Sequence, residues 1–112
     1  MRGRIVLVPF PFDDLSAIKT RPALCLTYPI GGYNHVIVAS ISCVVPSPLL
    51  ATDLVLDPAD PDFGRTGLRV RSVICTHRLM TVSTSIFLRN LGRVSDGTLR
   101  LIDERVRTVF GL

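Results

Sequence analysis

Val, Ile and Leu come in short bursts along this chain, each closed by Gly, Pro, Asp or Asn, a pattern that suits extended strands and not long helices. Residues 4–9, 22–27 and 35–42 are three such runs, with further apolar runs at 54–56 and 70–76. Pro9 and Pro11 lack backbone donors, so the first strand is expected to end near them. Residues 10–19 then form a loop, with Phe10 and Phe12 packing back on the body and Asp13, Asp14 and Ser16 at its tip. Residues 57–64 are too rich in Pro and Asp for regular structure. The last segment changes period. Leu99, Ile102, Val106, Val109 and Phe110 recur at helical spacing while Arg100, Asp103, Glu104, Arg105 and Arg107 fill the other face. Ser95 is placed to cap that helix, Asp96 to favour its positive end and Gly111 to terminate it. The prediction is a mainly β protein with a C-terminal helix, folded as a small curved barrel. At 112 residues it is expected to be one domain spanning 1–112.

Hydrophobic residues make up 47% of the chain and are spread through it, as a packed core requires. The longest uninterrupted apolar stretches, such as 5–8 and 23–26, fall far short of the ~20 residues that span a bilayer. Arg2 and Arg4 precede an apolar run, but Pro9 and Pro11 break it and Asp13 and Asp14 end it, so a cytoplasmic protein is expected. Cys25, Cys43 and Cys75 sit in apolar contexts without CxxC spacing or neighbouring His, which predicts buried, reduced thiols and neither metal nor cofactor. The net charge is +4, and all 13 basic residues except Lys19 are arginine, the side chain suited to bidentate phosphate contacts. Arg65, Arg69, Arg71, Arg78, Arg89 and Arg93 fall in residues 63–95, which contain no acid, whereas Asp53, Asp57, Asp60 and Asp62 cluster just before them. That segregation fits a polyanionic partner, although arginines on a solvated surface give the same count.

Arg2-Gly3-Arg4-Ile5-Val6-Leu7-Val8-Pro9-Phe10-Pro11-Phe12-Asp13-Asp14-Leu15-Ser16 resembles the opening strand and first loop of the MazF/PemK toxins. Lys19-Thr20-Arg21-Pro22-Ala23-Leu24 is similar to the Arg-Pro pair that begins their second strand, and Val36-Ile37-Val38-Ala39-Ser40-Ile41-Ser42 to their third strand, which ends on a hydroxyl. Gly67-Leu68, Ser72-Val73-Ile74, Leu79-Met80-Thr81-Val82 and Leu91-Gly92-Arg93-Val94-Ser95 follow the later segments, so the likeness covers nearly the whole chain. The resemblance implies an SH3-like barrel of the MazF/PemK/CcdB kind and the toxin role in a type II toxin-antitoxin system. It further implies a homodimer that cleaves single-stranded RNA at short specific sequences without a metal, and a cognate antitoxin that covers the RNA groove. It assigns catalysis to Arg21 and Ser42, and RNA contacts to Ser16, Lys19, His77 and Arg78. Two departures stand out: Ser42 occupies a position where Thr is more frequent, and Arg4 one where many relatives carry an acid.

RNA supplies its own nucleophile, because the 2′-OH can attack the adjacent phosphate. The protein need only orient the backbone, move protons and stabilise the crowded phosphorane. A guanidinium at Arg21 can bind the phosphate oxygens where charge grows, and its pKa above ~12 favours that electrostatic role over proton transfer. Without the flanking motif, Arg21 would read as an ordinary surface or ion-paired arginine and Ser42 as a strand-end serine satisfied by nearby backbone. His35 and His77 have no spacing that brings them together as an acid–base pair. The alternatives to a ribonuclease are a contact-only toxin of the CcdB kind and a degenerate antitoxin-binding module on the same fold.

Overall fold

The computed structural model describes residues 1–11 and 18–112. Its strands are β1 (Arg4–Pro11), β2 (Ile18–Cys25), β3 (His35–Ser42), β4 (Asp53–Leu56), β5 (Ser72–Ser83) and β6 (Arg89–Arg93), followed by helix α1 (Asp96–Val109). They form one sheet in the order β4-β5-β3-β2-β1-β6, antiparallel at every pairing. Short 3-10 turns at Phe63–Thr66 and Thr84–Ile86 precede β5 and β6.

The expected loop over 10–19 is corrected. β1 continues through Pro9 and Pro11, which pair with Thr20 and Ile18, and β2 begins at Ile18 rather than at Pro22. The reason lies in which side each backbone group faces. The Leu7 carbonyl accepts the Leu88 N–H at 2.9 Å, so Leu7, Pro9 and Pro11 turn their backbone groups toward the β6 side. β6 pairs with β1 only from Arg4 to Leu7, and beyond that point the missing proline donors face no strand. Phe10 is buried as expected, whereas Phe12, Asp13, Asp14 and Ser16 lie outside the described residues. β5 is longer than the 70–76 run suggested, and β6 was not anticipated, because Arg89, Asn90, Gly92 and Arg93 carry little strand signature.

Strand alternation gives the sheet two apolar faces. On one, Ile5, Leu24, Ala39, Ile41, Leu56 and Ile74 pack with Val94 and Ile102, and Leu99 and Val106 of α1 close over them. The helix is set as expected at its start: the Ser95 hydroxyl accepts the Thr98 N–H at 3.1 Å. Phe110, assigned by periodicity to the apolar face, is instead 61% exposed, because the helix ends at Val109 and the chain turns away at Gly111 (φ +69°). The other face carries Val6, Val8, Phe10, Ala23, Cys25, Val36, Val38 and Val82, covered by Met80, Ile86 and Phe87. Cys25 and Cys75 are buried, but Cys43 is exposed, which corrects the expectation of three core thiols. It follows Ser42 in the segment that leaves the sheet.

The 3-10 turn docks on β6 through two glycines. A Cβ on Gly92 would lie 2.1 Å from the Arg65 carbonyl oxygen, and one on Gly67 (φ +73°) would lie 2.0 Å from that of Leu91. Backbone meets backbone here, so neither side can yield by changing rotamer. Gly92→Ala should therefore lower stability by about 3 kcal/mol in denaturant titration, while Gly32→Ala, where an added Cβ meets nothing within 4 Å, should leave the unfolding midpoint almost unchanged.

Candidate functional site

Arg21 lies on β2 opposite Val8, two residues before Ala23. The β2–β3 ladder pairs Cys25 with Val38, Leu24 with Ala39 and Ala23 with Ser40, and ends there. Pro22 explains the end. The Leu26 N–H reaches across to the Ile37 carbonyl at 2.8 Å, so Leu24 and Pro22 also face β3, and at Pro22 the donor is missing. Continuing the same register two residues further sets Arg21 across from Ser42, beyond the last ladder pair. The Arg-Pro sequence thus ends the β2–β3 ladder next to Arg21, on the face that also carries Ser42.

Both residues share the face of Val8, Ala23 and Val38. One end of that face is apolar and covered. The other carries Lys19, Arg21, Ser42, Ser40, Cys75 and Asp53 by strand register. Lys19 is exposed, Arg21 and Ser42 are half-buried, and Ser40, Cys75 and Asp53 are buried. The Ser42 hydroxyl accepts the Val44 N–H at 3.1 Å and donates to the Val44 carbonyl at 3.4 Å, the local backbone satisfaction open to a strand-end serine. A ligand oxygen would compete only with the longer of these two bonds, since Oγ has one proton to give.

His77 and Arg78 stand in a bulge of β5. Ala39 on β3 pairs with Leu79, yet its neighbour Ser40 pairs with Cys75, so Thr76, His77 and Arg78 fall outside the β3–β5 register. His77 is exposed and Arg78 half-buried. The bulge follows Cys75 directly, so it adjoins the Ala23–Ser40 pair and lies on the same side of the sheet's centre as Arg21 and Ser42. His35, paired with Ser83 at the far end of β3 and stacked on Tyr33, is well removed from His77. Ser16 lies outside the described residues. Sequence reasoning missed Thr76 and Asp53. Their only sequence signal was a hydroxyl and an acid where neighbouring strand residues are apolar, and both proved buried.

Burial pushes the Cys25 thiol up to about 11, against an opposing pull from the N-terminal ammonium. Burial also raises the Cys75 thiol, with Asp53 adding to the shift and Arg78 opposing it. The arginines of residues 63–95 do not form one stripe: Arg78 is in the bulge, Arg71 is 3.9 Å from Asp57, and Arg89 and Arg93 lie on edge strand β6. Arg93 pairs directly with Arg4, a like-charge juxtaposition on the ladder. A cavity of about 330 Å³ at that edge is lined by Met1, Arg4, Val6, Phe87, Leu88, Arg89 and Asn90, and its lining includes neither Arg21, Ser42 nor a residue of the bulge. No described helix is long and apolar enough to cross a membrane.

A curved half-barrel of antiparallel strands with one C-terminal helix defines a small toxin fold. The sequence profile described as PemK-like, MazF-like toxin of type II toxin-antitoxin system matches residues 1–110, and the chain belongs to that family. Its fold is similar to Mycobacterium tuberculosis toxin MazF-mt6, with 24% identity, a TM-score of 0.70, and coverage of 96% of this chain and 97% of that one. It is similar also to an endoribonuclease in complex with its cognate antitoxin from a Mycobacterial species, at 16% identity and TM-score 0.71, covering 100% and 95%. A MazE-MazF crystal structure from Deinococcus radiodurans matches at 16% identity and TM-score 0.69, covering 98% and 94%. Comparison with curated protein sequences returned no significant match.

The thiols offer a direct check on this geometry. In the native protein at pH 8 a thiol reagent should titrate Cys43 rapidly and Cys25 and Cys75 slowly, and Cys43→Ser should remove the fast phase. Because the folded protein holds the Cys25 proton to about 11 and the unfolded chain releases it near the ordinary thiol value of 9.0, the unfolded state binds fewer protons in between. Stability should therefore fall as pH rises from about 9 toward 11, and Cys25→Ala should flatten that part of the profile.

Proposed function

We propose that this toxin is a metal-independent endoribonuclease that cleaves single-stranded RNA at short sequences. The observation that supports the proposal is that Arg21 and Ser42 share one face of the sheet just beyond the Ala23–Ser40 pair, where Pro22 ends the β2–β3 ladder. On this reading a phosphate bound on that face meets the Arg21 guanidinium and the Ser42 hydroxyl. Arg21 stabilises the dianionic phosphorane formed when the 2′-OH attacks, and Ser42 donates one hydrogen bond to a phosphate oxygen. The reaction is transesterification: the 2′-oxygen bonds to phosphorus, the bond to the 5′-oxygen breaks, and a 2′,3′-cyclic phosphate and a 5′-hydroxyl result. Lys19 on the same face, with His77 and Arg78 on the bulge, contacts the flanking nucleotides, and Ser16 is assigned to the same task. An open, partly polar face suits a single strand better than a closed pocket, because unpaired bases can spread across it.

The protein acts as a cytoplasmic homodimer and is inhibited by a cognate antitoxin, an assembly supported by the antitoxin complexes among its structural neighbours. The apolar recess beside edge strand β6, with Leu88 60% exposed, is a surface that a second copy can bury. On this reading the whole of 1–112 is one toxin domain.

Incubation with a long mixed-sequence RNA in EDTA, followed by mapping of the ends, tests the proposal. Cleavage at a short recurring sequence is expected. Arg21→Ala should slow it by about 100- to 1,000-fold, as loss of a transition-state donor does, and Arg21→Lys should restore only part, because an ammonium cannot bind two oxygens at once. Ser42→Thr should match or exceed the natural rate, since the β-branch stiffens the first side-chain torsion and keeps the hydroxyl. Intact RNA with the unaltered protein would move the assignment to a contact-only toxin or an antitoxin-binding module.

A further inference from the structure

Thr76 is fully buried, yet its side chain is polar. Its Oγ1 donates to the Thr52 carbonyl at 2.5 Å. Thr52 immediately precedes β4 and ends the segment that leaves β3 after Ser42, and a turn fixes it there: the Asp53 N–H donates to the Leu50 carbonyl at 3.0 Å and the Leu50 N–H to the Asp53 carboxylate at 2.9 Å. Thr76 is also the first residue of the β5 bulge, the three-residue stretch that falls outside the β3–β5 register. Ordinary ladder bonds hold β5 to β3 on both sides of the bulge but not within it. The hydroxyl therefore joins the bulge carrying His77 and Arg78 to the end of the segment that starts at Ser42.

We infer that Thr76 is a positioning residue for RNA binding: its hydroxyl fixes the bulge so that His77 and Arg78 present to the strand flanking the scissile phosphate. The inference rests on the assignment of His77 and Arg78 as RNA contacts. Without the bond, the bulge loses a direct tie to the turn before β4, so the segment relaxes and its two side chains sample more orientations. The cost falls on substrate binding, because Arg21 is held by its pair with Val8 and Ser42 by its pair with Val73, both outside the bulge. A role confined to stability would lower the melting temperature without moving KM in protein that is still folded.

The test compares the unaltered protein with Thr76→Val, which keeps the shape and removes the hydroxyl, and Thr76→Ser, which keeps the hydroxyl. Each is assayed on an oligoribonucleotide carrying the mapped cleavage sequence, at a temperature where circular dichroism shows every variant folded. Thr76→Val should raise KM about tenfold with kcat within about twofold, and Thr76→Ser should recover most of the loss. In a His77→Ala, Arg78→Ala background, Thr76→Val should add no further increase. An unchanged KM in Thr76→Val, an equal rise in Thr76→Ser, or a full tenfold increment in the double-alanine background would each overturn the inference while leaving the ribonuclease reading intact. No cleavage by the unaltered protein would overturn that reading and this one together.

Discussion

The pairing of β2 with β3 governs both apolar cores of this molecule. The register puts Leu24 against Ala39 on the helix-covered face and Cys25 against Val38 on the other, so one alignment fills both cores. A slip of one residue would exchange the faces of a whole strand and send Arg21 under the helix. At Pro22 the backbone donor needed to continue the ladder is missing, and the ladder ends with Arg21 and Ser42 just beyond its last pair on one face. A missing donor in one ladder thus coincides with a group of polar residues on an otherwise apolar sheet.

The sheet is held by burial on both of its faces. Helix α1 closes one face with Leu99, Ile102 and Val106, and the Met80, Ile86 and Phe87 side chains cover the apolar end of the other. Ile102, fully buried, stabilises the fold by roughly 1.5–3 kcal/mol relative to exposure, and the partly buried side chains add less each. Arg2 contributes from outside this core, bonding to Asp103 at 2.6 Å and to the Leu26 carbonyl at 2.9 Å and so fastening the chain's start to the helix.

Much of the fold was legible in the residues. The His35–Ser42 strand and the helix with Ser95 as its cap could be read from local pattern, because propensity and capping act over a few positions, while the proposal of Arg21 and Ser42 as the site came from resemblance alone. The misreadings share a cause. Pro9 and Pro11 looked like strand breakers, but whether a missing donor matters depends on which side of the strand it faces and whether a neighbour stands there. Cys43 looked like a core thiol because its neighbours are apolar, yet it lies past the end of β3, where the chain leaves the sheet. β6 was missed because it is held by the close approach of Gly92 to the Phe63–Thr66 turn rather than by strand-forming side chains.

The sequence by itself determined a mainly β chain with one terminal helix, the register-bearing apolar alternation of its central strands, and the family to which it belongs. These come from periodicity, capping and short motifs, which need only neighbours along the chain. Tertiary structure alone decided that β5 bulges between Cys75 and Leu79, that Thr76 reaches the Thr52 carbonyl, and that Arg4 faces Arg93. Those arrangements join residues distant in sequence or depend on the length mismatch between paired strands, and no local preference of the residues involved specifies either one.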